Sequence, residues 1–320
     1  MSLRILLFND RTEALAARLA AVASDVEIAE CNDYAALPAM LSDFHPDVIY
    51  AVRFAGTPGF PRDALMGRYR PRWIANGGVG TDHLESWDPN RTIVTNAAGV
   101  AADMMAEYVL GGFLYFTLDI PGLNADKAKR RWQARSVTPL AGKTLLIAGL
   151  GSTGQALASR AKAFGMRVIG TRARARQMEN VELSLPPEAL RDVLPQADAV
   201  AIATPLTPAT RGMIGLAEFS LMKEGVLFAD VSRGGVVDQS ALAMALKSGR
   251  IKGAAVDVFE TEPLPQDSPL WDMPNLIISP HCSSVYDGWE EASFDMFLDN
   301  LSRFRAGKEM LNVVDPKRGY

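Results

Sequence analysis

The stretch that most constrains this chain runs from Lys143 to Arg176. Thr144 to Ala148 is a short apolar run with glycine punctuation on either side, which predicts a fully buried strand. Gly149-Leu150-Gly151-Ser152-Thr153-Gly154 follows without a gap. Gln155 to Phe164 then carries Ala and Leu where a helix would pack on a sheet. Gly165 is placed to stop that helix, and Met166 to Gly170 predicts a second strand. A GxGxxG pattern by itself is common. Between a strand and a helix of one βαβ unit, it is the dinucleotide fingerprint. Gly149 allows the tight turn, Gly151 lets main chain approach a pyrophosphate, and Gly154 lets helix and strand pack closely. Leu150, Ser152 and Thr153 are the intervening residues of the same expected site. The plain alternative is a glycine-rich turn in an ordinary βα unit. The context predicts a dinucleotide site.

Where the second strand ends, an NAD site usually places an Asp or Glu against the ribose 2′-hydroxyl. Here Thr171-Arg172-Ala173-Arg174-Ala175-Arg176 supplies no acid. Guanidinium groups bind phosphate oxygens as a bidentate fork, so Arg172 and Arg174 suit a 2′-phosphate. One charge-assisted hydrogen bond of ~1.5–3 kcal/mol gives a preference of about tenfold or more. Arg176 is better read as part of a solvated basic loop. NADP(H) is expected to be preferred, with NAD(H) as the second cofactor.

At 320 residues the chain is long enough for two domains, each with its own core. Its net charge of -4 does not suggest nucleic acid or an anionic membrane as partner. Cys31 and Cys282 lie far apart, match no metal spacing, and point to a reducing compartment. The start, MSLRILLFND, turns polar too promptly for a signal peptide and reads as a first strand at Arg4–Phe8. A cytoplasmic protein is expected.

Residues 4–52 alternate strand and helix patterns: strands at 4–8, 26–31 and 48–52, helices at 11–23 and 34–42. Such alternation predicts a parallel sheet with helices on its faces, where ligands bind beyond the carboxyl ends of strands. Two segments occupy such ends: Arg53-Phe54-Ala55-Gly56-Thr57 and Asn76-Gly77-Gly78-Val79-Gly80-Thr81-Asp82. The second exposes main-chain N–H groups in a Gly-rich turn, which suits a carboxylate or is simply a turn. Arg53 is either a contact for the far end of a substrate or a surface cation. Ala101 to Leu118 predicts a helix apolar on nearly every side, hence buried all round. A subunit interface is the preferred account of it, with burial inside one subunit second. A membrane span is disfavoured by Asp103 and Glu107. Trp132, in the basic linker Lys127–Arg135, is a candidate cap on a site across such an interface. Later strands are predicted at 199–203, 226–230, 251–257 and 276–279, and Thr204 and Pro205 fall where a strand end would border a nicotinamide ribose. Trp289 to Arg305 carries Phe294, Phe297, Leu298, Leu301 and Phe304 at helical spacing, a core stripe.

Three segments each follow a predicted strand: Val231-Ser232-Arg233-Gly234-Gly235, Asp257-Val258-Phe259-Glu260-Thr261-Glu262-Pro263, and Ser279-Pro280-His281-Cys282. They bring an Arg, a carboxylate and a His to the sheet edge that carries the glycine loop. This set resembles the D-isomer-specific 2-hydroxyacid dehydrogenase family. The resemblance runs from about Gly78 to the C-terminus and includes Asn96-Ala97-Ala98-Gly99, Ala106-Glu107, Pro205-Leu206-Thr207-Pro208-Ala209-Thr210-Arg211-Gly212 and Pro274-Asn275-Leu276-Ile277.

The resemblance implies two Rossmann-like, doubly wound parallel-sheet domains. One is a flavodoxin-like substrate domain of residues 1–97 plus 284–320. The other is a dinucleotide-binding domain of residues 98–283 with a dimerisation helix at 101–118. It implies a homodimer, with the active site between the domains of each subunit. Arg233 would hold the substrate carboxylate and carbonyl, His281 would be the general acid for reduction, and Glu262 would orient His281 and favour its protonated form. Val231, Ser232 and Asp257 would contact the cofactor, with Asp257 on the nicotinamide carboxamide. Gly78, Val79 and Gly80 would hold the substrate carboxylate. Asp230 stands where the family pattern has Asn, and Cys282 where it has an apolar residue. The expected activity is hydride transfer between NADP(H) and a small 2-ketoacid or D-2-hydroxyacid such as glyoxylate or hydroxypyruvate. A phosphorylated hydroxy acid, or a cofactor-sensing corepressor-like protein of the same fold, are the alternatives.

Overall fold

The computed structural model describes residues 2–53 and 59–319. The chain separates into two compact units, Met1–Val100 with Asp287–Tyr320, and Ala101–Tyr286. In the first unit β1 (Arg4–Phe8), β2 (Glu27–Cys31), β3 (Val48–Ala51), β4 (Trp73–Asn76) and β5 (Ile93–Asn96) form a sheet. Helices α1 (Glu13–Val22), α2 (Leu37–Phe44) and the single turn α3 (Arg62–Leu65) connect the first four strands. All pairings are parallel, in the order β2-β1-β3-β4-β5.

Side chains alternate across a strand, so β1 feeds two cores. Ile5 and Leu7 join Leu15 and Leu19 on one face, while Leu6 and Phe8 join Leu37 and Leu41 on the other. A strand covered on both faces has no polar side to show, which is why β1 reads as a continuous apolar run.

The second unit begins with α4 (Ala102–Thr117) and α5 (Ile120–Ala128). Then come β6 (Thr144–Ala148), α6 (Ser152–Ala163), β7 (Arg167–Thr171), β8 (Leu183–Leu185), α7 (Leu190–Val193) and β9 (Ala199–Ile202). It closes with α8 (Leu216–Leu221), β10 (Val226–Asp230), α9 (Gln239–Lys247), β11 (Ile251–Val256) and β12 (Leu276–Ile278). The sheet is again parallel, in the order β12-β11-β10-β9-β6-β7-β8. The chain winds outward from β6 to β8, then returns to the other side of β6 to start β9. Such a reversal opens a crevice at the strand ends, the usual ligand position in a doubly wound sheet. Both units are therefore doubly wound α/β folds, the class the resemblance implies. The last helix, α10 (Trp289–Arg305), returns to the first unit and packs Phe294, Phe297 and Leu301 against Ile5, Tyr50 and Trp73.

The structure bears on several expectations. The helix at Ala102–Thr117 is not buried all round. Ala106, Val109, Leu110 and Phe113 face the second unit's core, whereas Asp103, Glu107 and Gly111 are exposed along one line. Its acids are held by Arg160 on α6, at 2.9 Å to Asp103 and 3.4 Å to Glu107. The start of the basic linker is the end of α5, and Trp132 is fully exposed. Among the described residues, no helix is long and apolar enough to cross a membrane.

Candidate active site

The glycine loop joins β6 to α6 at the sheet's reversal point, and its glycines answer to different demands. Gly149 has φ +106, and a Cβ there would lie 2.5 Å from the Ala203 carbonyl oxygen at the end of β9. A Cβ on Gly154 would lie 2.1 Å from the Gly149 oxygen, so α6 can seat on the loop only without one. Gly151 is different, since a Cβ there meets no protein atom within 4 Å. Packing does not require glycine at 151, whereas close approach by a ligand would. The N–H groups of Gly149 and Leu150 donate to Thr171 at the end of β7. The next N–H groups, at Ser152, Thr153 and Gly154, open α6 and are left without helix partners, a setting that favours anions. Thr204 Oγ1, just past β9, is buried without a hydrogen-bond partner. A buried hydroxyl seldom stays unpaired, so it fits a polar ligand group there. Pro205 turns the chain after it, and its carbonyl oxygen accepts from Thr210 Oγ1 at 2.6 Å. The residues of this edge suit a bound dinucleotide.

Arg172 follows the buried Thr171 and is half-buried, while Arg174 and Arg176 are exposed. Among the described residues the only partner of the Arg172 guanidinium is the Met178 thioether at 3.2 Å, a weak acceptor. Arg174 adds charge to the same loop.

The catalytic candidates sit at the ends of β10, β11 and β12, which are neighbours in the sheet. Arg233 follows β10, and its Nη1 donates to the Ser232 carbonyl at 2.7 Å. Glu262 lies beyond β11. Its Oε1 accepts the Phe259 N–H at 2.9 Å, and Oε2 lies 2.8 Å from His281 Nδ1 beyond β12. Burial raises the Glu262 pKa, but the His281 contact, the Phe259 N–H and the charges of His281 and Arg233 outweigh it and hold the carboxyl below its usual value. That Arg233 contributes to this balance brings all three groups into one electrostatic neighbourhood. Two features fasten the strand ends together. A Cβ on Gly234 would fall 1.8 Å from the Phe259 carbonyl oxygen, so the Arg233 turn presses directly on the Glu262 segment. Gln239 and Glu260 exchange hydrogen bonds between main chain and side chain, at 3.0 and 2.7 Å.

Other candidates have protein partners of their own. The Asp257 carboxylate is 2% exposed and accepts from Ser279 Oγ, Cys282 N, Ser283 N and Ser283 Oγ. It anchors the His281 loop. Val231 and Ser232 are buried, and Ser232 gives both its N–H and its hydroxyl to Asp230 Oδ1 at 3.0 and 2.5 Å. Burial pushes Asp230 up to about 7, with nearby Asp257 adding to the rise and the Ser232 bonds and Arg233 opposing it.

In the first unit, the turn after β4 is held from behind. Asn76 Nδ2 donates to the carbonyls of Gly78 and Gly80 at 2.8 and 3.0 Å, and Asn96 Nδ2 donates to Val79 at 2.7 Å. With those oxygens fixed, the N–H groups of Gly78, Val79 and Gly80 have no partner among the described residues. Arg53 is exposed just after β3, and Phe54–Thr57 of its segment lie outside the described residues. Sequence reasoning passed over Asn76 and Asn96 as actors. Their signal was an Asn ending each of two successive short strands beside glycine-rich turns.

Residues 110–283 match the family model described as the D-isomer specific 2-hydroxyacid dehydrogenase NAD binding domain. A glyoxylate reductase from Aeropyrum pernix is 35% identical over 267 residues, 79% of each chain. A D-3-phosphoglycerate dehydrogenase from Methanocaldococcus jannaschii is 33% identical over 79% of this chain, which spans only 49% of that relative. Among solved structures, an NADPH-dependent glyoxylate/hydroxypyruvate reductase from Sinorhizobium meliloti, solved with NADP and sulfate, superposes with a TM-score of 0.84. It is 27% identical and covers 100% of both chains. The glycine loop and the strand-end Arg, Glu and His all lie inside the span matched by the family model, and the chain belongs to the D-isomer specific 2-hydroxyacid dehydrogenases, NAD(P)-dependent oxidoreductases.

Proposed function

We propose that this protein is an NADP(H)-preferring reductase of a small 2-ketoacid, glyoxylate or hydroxypyruvate being the leading candidates. The observation that carries the reading is the pairing of His281 Nδ1 with Glu262 at 2.8 Å. With Nδ1 committed to the carboxylate, Nε2 is the ring nitrogen left to exchange a proton with a substrate. A nicotinamide dinucleotide held at the Gly149–Gly154 loop would supply the hydride chemistry. Arg233 grips the ketoacid carboxylate and orients its carbonyl. His281 Nε2 gives the proton that turns the carbonyl oxygen into a hydroxyl, and Glu262 offsets the positive ring before that transfer. The N–H groups of Gly78, Val79 and Gly80 suit the substrate carboxylate, and residues 1–97 with 284–320 are the substrate domain in this reading. The second domain, 98–283, holds the dinucleotide.

The cofactor preference rests on Arg172, half-buried at the end of β7 with a thioether as its partner and no acid beside it. Support for the substrate class comes from the glyoxylate reductase relative and the NADP-bound reductase structure. The exposed line of α4, with exposed Leu118, Leu123 and Trp132 beyond it, suits a homodimer contact. Both cysteines are free, which fits a cytoplasmic setting. Steady-state kinetics on a panel of 2-ketoacids, one phosphorylated, with NADPH and NADH in parallel, test the proposal. Turnover of glyoxylate or hydroxypyruvate with a preference of about tenfold or more for NADPH is expected. Equal use of NADH would remove Arg172 from the account, and selective turnover of the phosphorylated acid would replace the substrate.

A further inference from the structure

His281 has φ +52, in the left-handed region that a non-glycine residue seldom adopts. Such a conformation persists only where the surroundings over-determine it. Here three successive main-chain N–H groups turn toward one residue. That of His281 donates to the Asp257 carbonyl at 2.9 Å, that of Cys282 to Asp257 Oδ1 at 2.8 Å, and that of Ser283 to Oδ1 and Oδ2 at 3.1 and 3.0 Å. Successive N–H groups around a left-handed residue form a concave anion site, and in this chain the anion is Asp257's own side chain. Two hydroxyls complete the shell, Ser283 Oγ on Oδ2 at 2.6 Å and Ser279 Oγ on Oδ1 at 2.5 Å.

The shell extends to α4. Tyr108 Oη lies 2.7 Å from Ser279 Oγ. A serine hydroxyl has one proton to give. With that proton on the carboxylate, the Tyr108 hydroxyl is the donor and Ser279 Oγ the acceptor. Burial pushes Tyr108 up to about 12, with Asp257 nearby adding to the rise and Ser279 opposing it, so the phenol keeps its proton across the working range. The chain of bonds therefore runs from a helix, through two hydroxyls and a buried carboxylate, to the main chain immediately after His281.

We propose that Tyr108 and Ser279 are positioning residues for proton transfer, acting through Asp257 to fix the left-handed turn that aims the His281 ring. Neither touches substrate or cofactor in this account. The proposal rests on the reading of His281 as the proton donor, and the experiment separates the two.

Tyr108→Phe, Ser279→Ala and the double variant are compared with wild type in ketoacid reduction at saturating NADPH, with His281→Ala alongside. The expected result is a fall in kcat of about tenfold in each single variant, with ketoacid KM and NADPH Kd unchanged. The double variant should be no worse than the poorer single one, because both changes cut the same chain. A wild-type kcat in both single variants, losses that multiply in the double, or losses that appear in NADPH Kd would each overturn the proposal. Ser279→Ala removes one small hydroxyl and gives a reading even if Tyr108→Phe loosens α4. Should His281→Ala retain its kcat, the proton-donor reading falls; should it be inactive while Tyr108→Phe and Ser279→Ala match wild type, only the positioning role falls.

Discussion

Two glycine-rich turns stand at carboxyl ends of strands, one in each unit, and they present main-chain N–H groups by different means. In the second unit the glycine loop hands over to α6, and the N–H groups at Ser152, Thr153 and Gly154 are left over by helix geometry. Their dipoles add to that of a 12-residue helix, a setting suited to phosphate. In the first unit no helix starts at Gly78–Gly80. There the amides of Asn76 and Asn96 pull three carbonyls to one side and turn the N–H groups to the other. The first arrangement is a by-product of secondary structure. The second is held by two side chains, so it is the more easily dismantled by a single substitution.

The sharpest break concerns the glycine loop itself. Gly154→Val sets carbon against the Gly149 carbonyl and should abolish the cooperative unfolding transition of the second unit, followed by circular dichroism. Gly151→Ala, three residues away, meets no protein atom and should leave that transition in place while weakening NADPH binding by about tenfold or more, read by fluorescence titration. If both variants lose stability alike, the loop's glycines share one role and the contrast between the turns weakens.

Main-chain donors do not titrate, so neither turn should make stability depend on pH near neutrality. That dependence is expected from Asp230. Its ordinary value is 3.8 and burial raises it to about 7 in the folded protein. Below the unfolded value both states hold the proton and nothing is lost. As pH rises through the window between the two values, the unfolded chain ionises first, so this group progressively subtracts stability, up to on the order of 4 kcal/mol. Above about 7 the loss is constant. Asp230→Asn keeps an oxygen for Ser232 and removes the titration. Urea midpoints should then separate progressively in the variant's favour as pH rises from 3.8 to about 7. Parallel pH profiles for the two proteins would assign the dependence elsewhere. The smallest expected effect belongs to the first unit. Asn76→Ala deletes two hydrogen bonds behind the turn and should raise ketoacid KM by about tenfold with NADPH Kd unchanged. An unchanged KM would mean that the turn needs no Asn clamp.

What could be read from the chain divides along physical lines. The run Thr144–Ala148 and the stripe of α10 announce themselves because burial repeats with the period of the element. The strands Trp73–Asn76 and Ile93–Asn96 have four residues each and end in Asn, too short to show a period, although the turns that follow them were visible. Leu183–Leu185 is a three-residue edge strand of the same kind. The helix Ile120–Ala128 was hidden by its Pro-Gly start, which looks like a break until Asp119 is seen to cap it through the Gly122 N–H at 3.2 Å. Arg233, Glu262 and His281 were legible by resemblance, and their geometry is local to three adjacent strand ends. The engagement of Asp257 was not, because it depends on a left-handed turn at His281 that no residue pattern announces. Small hydroxyls at Ser279 and Ser283, flanking the histidine, were the available signal.

The seating of Gly234 against Phe259 has a bearing on attempts to reshape substrate choice. Two loops that touch main chain to main chain cannot be retuned one at a time. Lengthening or bulking the segment that carries the guanidinium would drag the acid along with it, and the imidazole would lose its partner. Variation that spares chemistry is therefore confined to surfaces away from this seam, and a library built across it would select mostly for restoring one missing side chain.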